Sequence, residues 1–141
     1  METPGASHMK KHAVKRDDPV FLDDSIELHI NPEYGVASPA CSYQFVVNSR
    51  NAVFDQRRKK GGYTQDPQNF KWNSQTLVTQ SKIVNDVWVL EGSVDLKELG
   101  LSLDKPFGLQ LCANRRNPQE EGTINGGPFG KLDQMAKNSI S

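Results

Sequence analysis

The residues able to do chemistry in this chain are few, and their spacing is sparse. His8, His12 and His29 show no metal-ligand spacing, and the first two stand in a polar opening segment. Cys41 and Cys112 are too few for a disulfide scaffold or a four-thiolate zinc site, and each lies in or beside a strand-like run. They read as two small buried thiols, with a disulfide as the alternative. Neither thiol, taken with His29, carries a local mark of an activated nucleophile. With 17 acidic residues in the chain, paired carboxylates are expected by composition and do not point to a glycosidase. Asp23, Asp24 and Glu27 offer hard oxygen ligands for calcium, but without a calcium-loop spacing they read rather as a capped or solvated strand start. The run Arg57-Arg58-Lys59-Lys60-Gly61-Gly62 reads as a solvated hairpin tip. Its alternative, a phosphate or nucleic-acid site, lacks a second basic segment or a stacking series of aromatics. The chain therefore reads as non-catalytic.

The elements that position these residues are strands. Trp88, Leu90 and Val94 alternate with Val89, Glu91 and Ser93, the pattern of a strand with one face in a core. The strand runs into a short helical turn, Asp95-Leu96-Lys97-Glu98-Leu99, closed by Gly100 as a left-handed cap. The same alternation predicts strands over Val20 to Ile30, Cys41 to Asn48, Ala52 to Gln56, Leu77 to Val84 and Phe107 to Ala113. In the first of these Ile26, Leu28 and Ile30 face one way, and Ser25, Glu27 and His29 the other. A short edge strand over Phe129 to Leu132 follows the glycine-containing loop Asn117 to Pro128. Regular strands with one helical turn predict an all-β sandwich or barrel and not an α/β sheet.

The 141 residues make one domain, with 17 basic and 17 acidic residues and a formal net charge of zero. That balance argues against long-range attraction to nucleic acid or an anionic membrane. No apolar run approaches the roughly 20 residues of a membrane-spanning helix. Residues 1–18 are polar and read as a mobile tail, or as an arm ordering on a partner. Met1 to Met9 reads either as vector-derived, with Met9 the natural start, or as native. The domain is expected over 19–134, with a polar tail over 135–141.

Several local patterns then coincide in order. Asp23-Asp24-Ser25-Ile26-Glu27 precedes Tyr43-Gln44-Phe45-Val46-Val47-Asn48. Trp88-Val89-Leu90-Glu91 follows with Val94-Asp95-Leu96 and Leu99-Gly100, then Phe107-Gly108-Leu109, Asn114-Arg115-Arg116 and Phe129-Gly130-Lys131-Leu132. From Val20 to Leu132 this series resembles the family-nine carbohydrate-binding modules and their DOMON-like β-sandwich relatives. The resemblance implies a jelly-roll-like antiparallel β-sandwich, an extracellular or periplasmic setting, structural calcium in some relatives and a bound oligo- or polysaccharide. It also places sugar rings against aromatic faces, with planar polar groups meeting their hydroxyls. On that reading Trp72, in a polar loop, is the candidate platform, or else a tryptophan folded over the core. Asn114, Arg115 and Arg116 are the candidate polar half of a site at a strand end, or else partners of Glu91, Glu120 or Glu121. Haem, known among the DOMON-like relatives, would have only His29 and Met135 as axial ligands outside the opening segment. Trp88, on an apolar face, reads as core. Relatives generally begin with further strands before the Asp-Asp-Ser-x-Glu segment. Unpaired edges are then expected here, and with them a homodimer. The second reading is a truncated sandwich serving as a structural or protein-interaction unit with no small ligand.

Overall fold

A computed structural model describes residues 1–37, 39–59, 71–116, 122–124 and 136–137. The chain is all-β: its strands are antiparallel and lie in two sheets, with isolated 3₁₀ turns at Ala6–His8 and Val20–Leu22. The strands are β1 (Glu2–Pro4), β2 (Ser25–Asn31), β3 (Cys41–Asn48), β4 (Val53–Lys59), β5 (Val78–Val84), β6 (Val87–Ser93), β7 (Gly108–Arg115), β8 (Gly122–Ile124) and β9 (Ala136–Lys137). The larger sheet has the order β4-β3-β2-β7-β8, with β9 also paired to β7; the smaller is β1-β6-β5. Val20–Leu22 forms a 3₁₀ turn in place of the start of the first expected strand, because Asp23 and Asp24 turn back to earlier backbone. β4 runs three residues past its expected end, so Arg57 to Lys59 continue the ladder and pair with Cys41 to Tyr43. Gly122–Ile124, expected within a loop, pairs with Ala113 to Arg115. The expected strand over Phe129 to Leu132 lies outside the described residues.

Register determines which side chains share a face of the larger sheet. Ile26, Leu28 and Ile30 of β2 oppose Val47, Phe45 and Tyr43 of β3 and Ala113, Leu111 and Leu109 of β7. This is the apolar face. Ile30, Tyr43 and Phe45 pack there with Leu99, Leu101 and Phe107, and Trp72, Leu77, Val94 and Leu96 lie against them. Asp95 to Gly100 is a hydrogen-bonded turn whose Gly100 has φ 67°, the left-handed conformation expected at that position. Trp88 of the smaller sheet clusters with Ile26 of the larger one and with Ala6 and Met9.

The opening segment departs most from expectation. In place of a mobile tail over 1–18, Glu2–Pro4 pairs with Val87 to Val89 of β6, and Ala6, Met9 and Ala13 are buried. Polar composition concealed this because the segment is held mainly by its backbone. Asp23 accepts N–H bonds from His12 (2.9 Å) and Ala13 (2.8 Å), and Asp24 accepts one from Lys10 (2.9 Å). Asp17 donates to the Val53 carbonyl at the β4 edge (2.9 Å), and the Arg16 guanidinium meets the fully buried Asp55 carboxylate at 2.5 Å. Residues 9–24 thus form a strap, and its Ala13 and Val20 cover Val46, Ala52 and Phe54.

The two cysteines are free thiols. Cys41 points to the same face as Tyr43, whereas Cys112 opposes Glu27 and points to the other. A bond between them would have to pass through the sheet, which disulfide geometry forbids.

Candidate functional site

The second face of the larger sheet is polar, and it is not the wet face that strand alternation predicts. Gln110 of β7, His29 of β2, Gln44 of β3 and Gln56 of β4 stand in one register row. The neighbouring row is Cys112, Glu27, Val46 and Phe54, and the next begins with Asn114 and Ser25. Glu27, Gln44, Gln56 and Asn114 are all buried, while Arg58 at the β4 end is exposed and His29 partly so.

Buried polar side chains need partners, and here they supply one another. One Glu27 oxygen accepts from Asn114 Nδ2 at 2.7 Å. The other accepts from Gln44 Nε2 at 3.2 Å and meets His29 Nε2 at 3.1 Å. Gln44 Oε1 in turn is met by the Gln56 amide and by Arg58 Nη2, the latter at 3.0 Å. Burial acts to raise the Glu27 carboxyl, but the bonds from His29, Gln44 and Asn114 outweigh it and hold the group below the usual carboxylate range. The Cys112 thiol is pushed up by burial and by the Glu27 charge, which favours its protonated form. Asn114 Oδ1, in a side chain only 2% exposed, has no hydrogen-bond partner among the described residues.

The residues expected to form a sugar site do not come together. Trp72 lies on the apolar face, its ring 5.2 Å from Tyr43 and 6.2 Å from Phe45, with the Arg57 guanidinium 6.0 Å from its centroid. Burial pushes the Tyr43 phenol beside it up to about 12, as befits a core neighbour. Asn114 is on the opposite, polar face. Arg115 turns to the opening segment and donates to the Pro4 carbonyl at 2.6 Å and the Gly5 carbonyl at 3.4 Å. The Arg116 backbone N–H donates to Asp24, and its guanidinium reaches the Phe21 carbonyl at 3.2 Å. Of the four, Asn114 alone lies on the polar face, where it bonds to Glu27. The acidic pairing partners Glu120 and Glu121, the glycine end of the basic loop and Met135 lie outside the described residues.

Asp23, Asp24 and Glu27 do not fit a calcium ion. Their oxygens are taken up by N–H donors, Asp23 additionally by Asn48 Nδ2 at 2.9 Å, and Glu27 points into the polar row. Among the described residues no three of His, Cys, Asp and Glu are grouped to hold a metal.

Sequence reasoning passed over Gln44, Gln56 and Gln110. A signal was present: polar residues recur at alternate positions in β2, β3 and the end of β4, in phase with one another. Such residues read as solvent-facing until something is known to share their face.

Comparison of the chain with protein-family models, with curated proteins and with solved structures finds no match in any of the three.

Proposed function

We propose that the protein is a non-catalytic carbohydrate-binding module similar to family nine, with the polar face of the larger sheet as its ligand surface. Three of the segments that carry the resemblance converge there, through Glu27, Gln44 and Asn114. The observation that carries the reading is the hydrogen-bonded network on this face, planar amides with a carboxylate and an imidazole, together with an acceptor at Asn114 Oδ1 that has no partner among the described residues. Amides both donate and accept, as sugar hydroxyls do, and an unused buried acceptor favours a ligand that brings an O–H donor.

Calorimetry on cello- and xylo-oligosaccharides tests this. Gln44→Ala and Asn114→Ala should each weaken binding by about tenfold or more, the cost of a lost polar contact and a partner left unsatisfied. Trp72→Ala should lower stability and leave affinity nearly unchanged. A folded protein that binds neither sugar series at millimolar concentration overturns the proposal.

A second reading, a protein-interaction unit, is favoured by β5. This strand lies at an edge of the smaller sheet, where the Ser49 to Asn51 turn bonds to it at Thr79 and Ser81. Val78, Ile83 and Val84 are exposed on it. An apolar edge of this kind pairs readily with a second copy, which keeps the homodimer as a proposal. Light scattering at micromolar concentration should then give twice the 15.7 kDa chain mass. A monomeric mass rejects it.

A further inference from the structure

We infer that two copies of the chain join along β5, antiparallel about a two-fold axis at Ser81, so that two three-stranded sheets become one of six strands. This rests on the homodimer reading above, is independent of the sugar reading, and adds the contact strand and its register.

Among the described residues, β5 is the long edge left open. β1, on the other side of the smaller sheet, has three residues and ends in Pro4. β4 of the larger sheet is blunted by the strap at the Val53 carbonyl and by the charges of Arg57, Arg58 and Lys59. β5 has seven residues, Val78–Val84, with no proline and a single charge, Lys82. Which of its backbone groups face outward follows from the hairpin. Asn85 and Asp86, with φ of 51° and 60°, form a two-residue turn, which makes Val84 and Val87 a hydrogen-bonded pair. Alternate pairs are then bonded, so Val78, Gln80, Lys82 and Val84 bond to β6, while Thr79, Ser81 and Ile83 present their backbone groups away from it. Two contacts agree with this phase. The Thr79 carbonyl accepts from Asn51 Nδ2 at 3.1 Å, and on the far side of β6 Leu90 exchanges bonds with Met1 at 2.8 and 2.9 Å. The Thr79 N–H and both groups of Ser81 and Ile83 remain for an incoming strand.

Outward groups must meet outward groups, which near the middle of the strand allows two-fold axes at Gln80, Ser81 or Lys82. An axis at Lys82 sets the two Lys82 side chains against each other, and one at Gln80 sets Lys82 against the partner's Val78. The Ser81 axis pairs all seven residues, with Val78 facing the partner's Val84 and Gln80 facing the partner's Lys82. Val78 and Val84 are 65% and 50% exposed in the single chain, so this register covers apolar surface and opposes no like charges. Ser81 is itself fixed in place: its Oγ donates to the Ser49 carbonyl at 2.9 Å and accepts from Trp88 Nε1 at 2.8 Å.

Light scattering of the full chain at micromolar concentration should give the dimer. Ile83→Pro removes an outward N–H and leaves the bonds to β6 in place, so it should give a monomer with a cooperative melt. Position 80 faces Glu91 of its own β6 and the partner's Lys82, so charges placed there act oppositely within and between chains. Gln80→Glu should tighten the dimer by about threefold or more while lowering the stability of the single chain, read in the Ile83→Pro background. Gln80→Lys should do the reverse. Oxidising a mixture of Gln80→Cys and Lys82→Cys proteins should link the copies more fully than oxidising either alone, with the unchanged chain and its free Cys41 and Cys112 as the blank. If either alone links as fully as the mixture, if Ile83→Pro stays dimeric, or if dimer affinity follows single-chain stability across the Gln80 variants, the inference falls and the homodimer stands. A monomeric mass for the unchanged chain removes both.

Discussion

Replacing Trp88 with alanine is expected to destabilise the protein by about 3–5 kcal/mol, the usual cost of deleting a buried aromatic side chain. Trp88 is 1% exposed and belongs to three parts of the fold at once. It sits on β6 of the smaller sheet, touches Ile26 of the larger one, and packs on Ala6 and Met9 of the opening segment. Its indole N–H donates to Ser81 Oγ at 2.8 Å, so the ring is held by a polar contact as well as by packing. A domain of this size is stable by only about 5–15 kcal/mol, so the loss removes much of the margin. Trp88→Phe keeps most of the packing and drops the hydrogen bond, and should cost about 1–2 kcal/mol. Urea unfolding of the three proteins gives the comparison. Amide exchange near β1 should accelerate in the alanine variant, since Ala6 and Met9 lose their contact there. A loss under about 1 kcal/mol for Trp88→Ala would show that the cluster does not join the sheets energetically.

Glu27→Ala is expected to cost roughly 3–5 kcal/mol, the range for removing one partner of a buried charged contact. The carboxylate is the hub of the polar face, and its loss leaves Asn114 Nδ2, Gln44 Nε2 and His29 Nε2 without the acceptor they share. Glu27→Gln keeps the shape but turns one acceptor into a donor facing N–H groups, so it is not a neutral change. The pH dependence gives an independent readout. The carboxyl is held below its usual range in the folded protein, so its contribution is fully present above the unfolded value, roughly pH 4.3. It is lost as pH falls from there through the folded value. Asp23, with the same direction of shift, adds a loss of the same sign, whereas Asp55, pushed up by burial, acts oppositely. The difference between the wild-type protein and Glu27→Ala isolates the Glu27 part. It should shrink as the solution is acidified below about pH 4 and stay level from pH 5 to 8. A gap that is unchanged at pH 3 would mean that folding does not shift the carboxyl, and one that widens on acidification would mean that burial raises it.

The period-two patterns of Ser25 to Ile30, Cys41 to Asn48 and Trp88 to Ser93 were legible as strands because alternation is a local property of the backbone. The same rule identified Trp88 as core and gave the all-β class. Gly100 was legible as a left-handed turn residue for an equally local reason. Alternation says that Glu27 and His29 share a face, but it is silent on what else lies on that face. Only pairing β2 with β3 and β7 sets Gln44 and Gln110 beside His29, and brings Asn114, 87 positions away in the chain, to Glu27. Trp72 stands in a polar stretch, yet it packs on Tyr43 and Phe45 because the larger sheet offers an apolar surface that no short window reveals. The opening segment read as a tail because its composition is polar. It is held by Asp23, Asp24 and Arg115, side chains that reach its backbone from afar, and backbone bonds leave no trace in residue type. Periodicity determined the long strands β2 to β7; register and long-range hydrogen bonds decided where the short strands pair and which polar residues meet, because burial of a polar group depends on partners that the local chain does not contain.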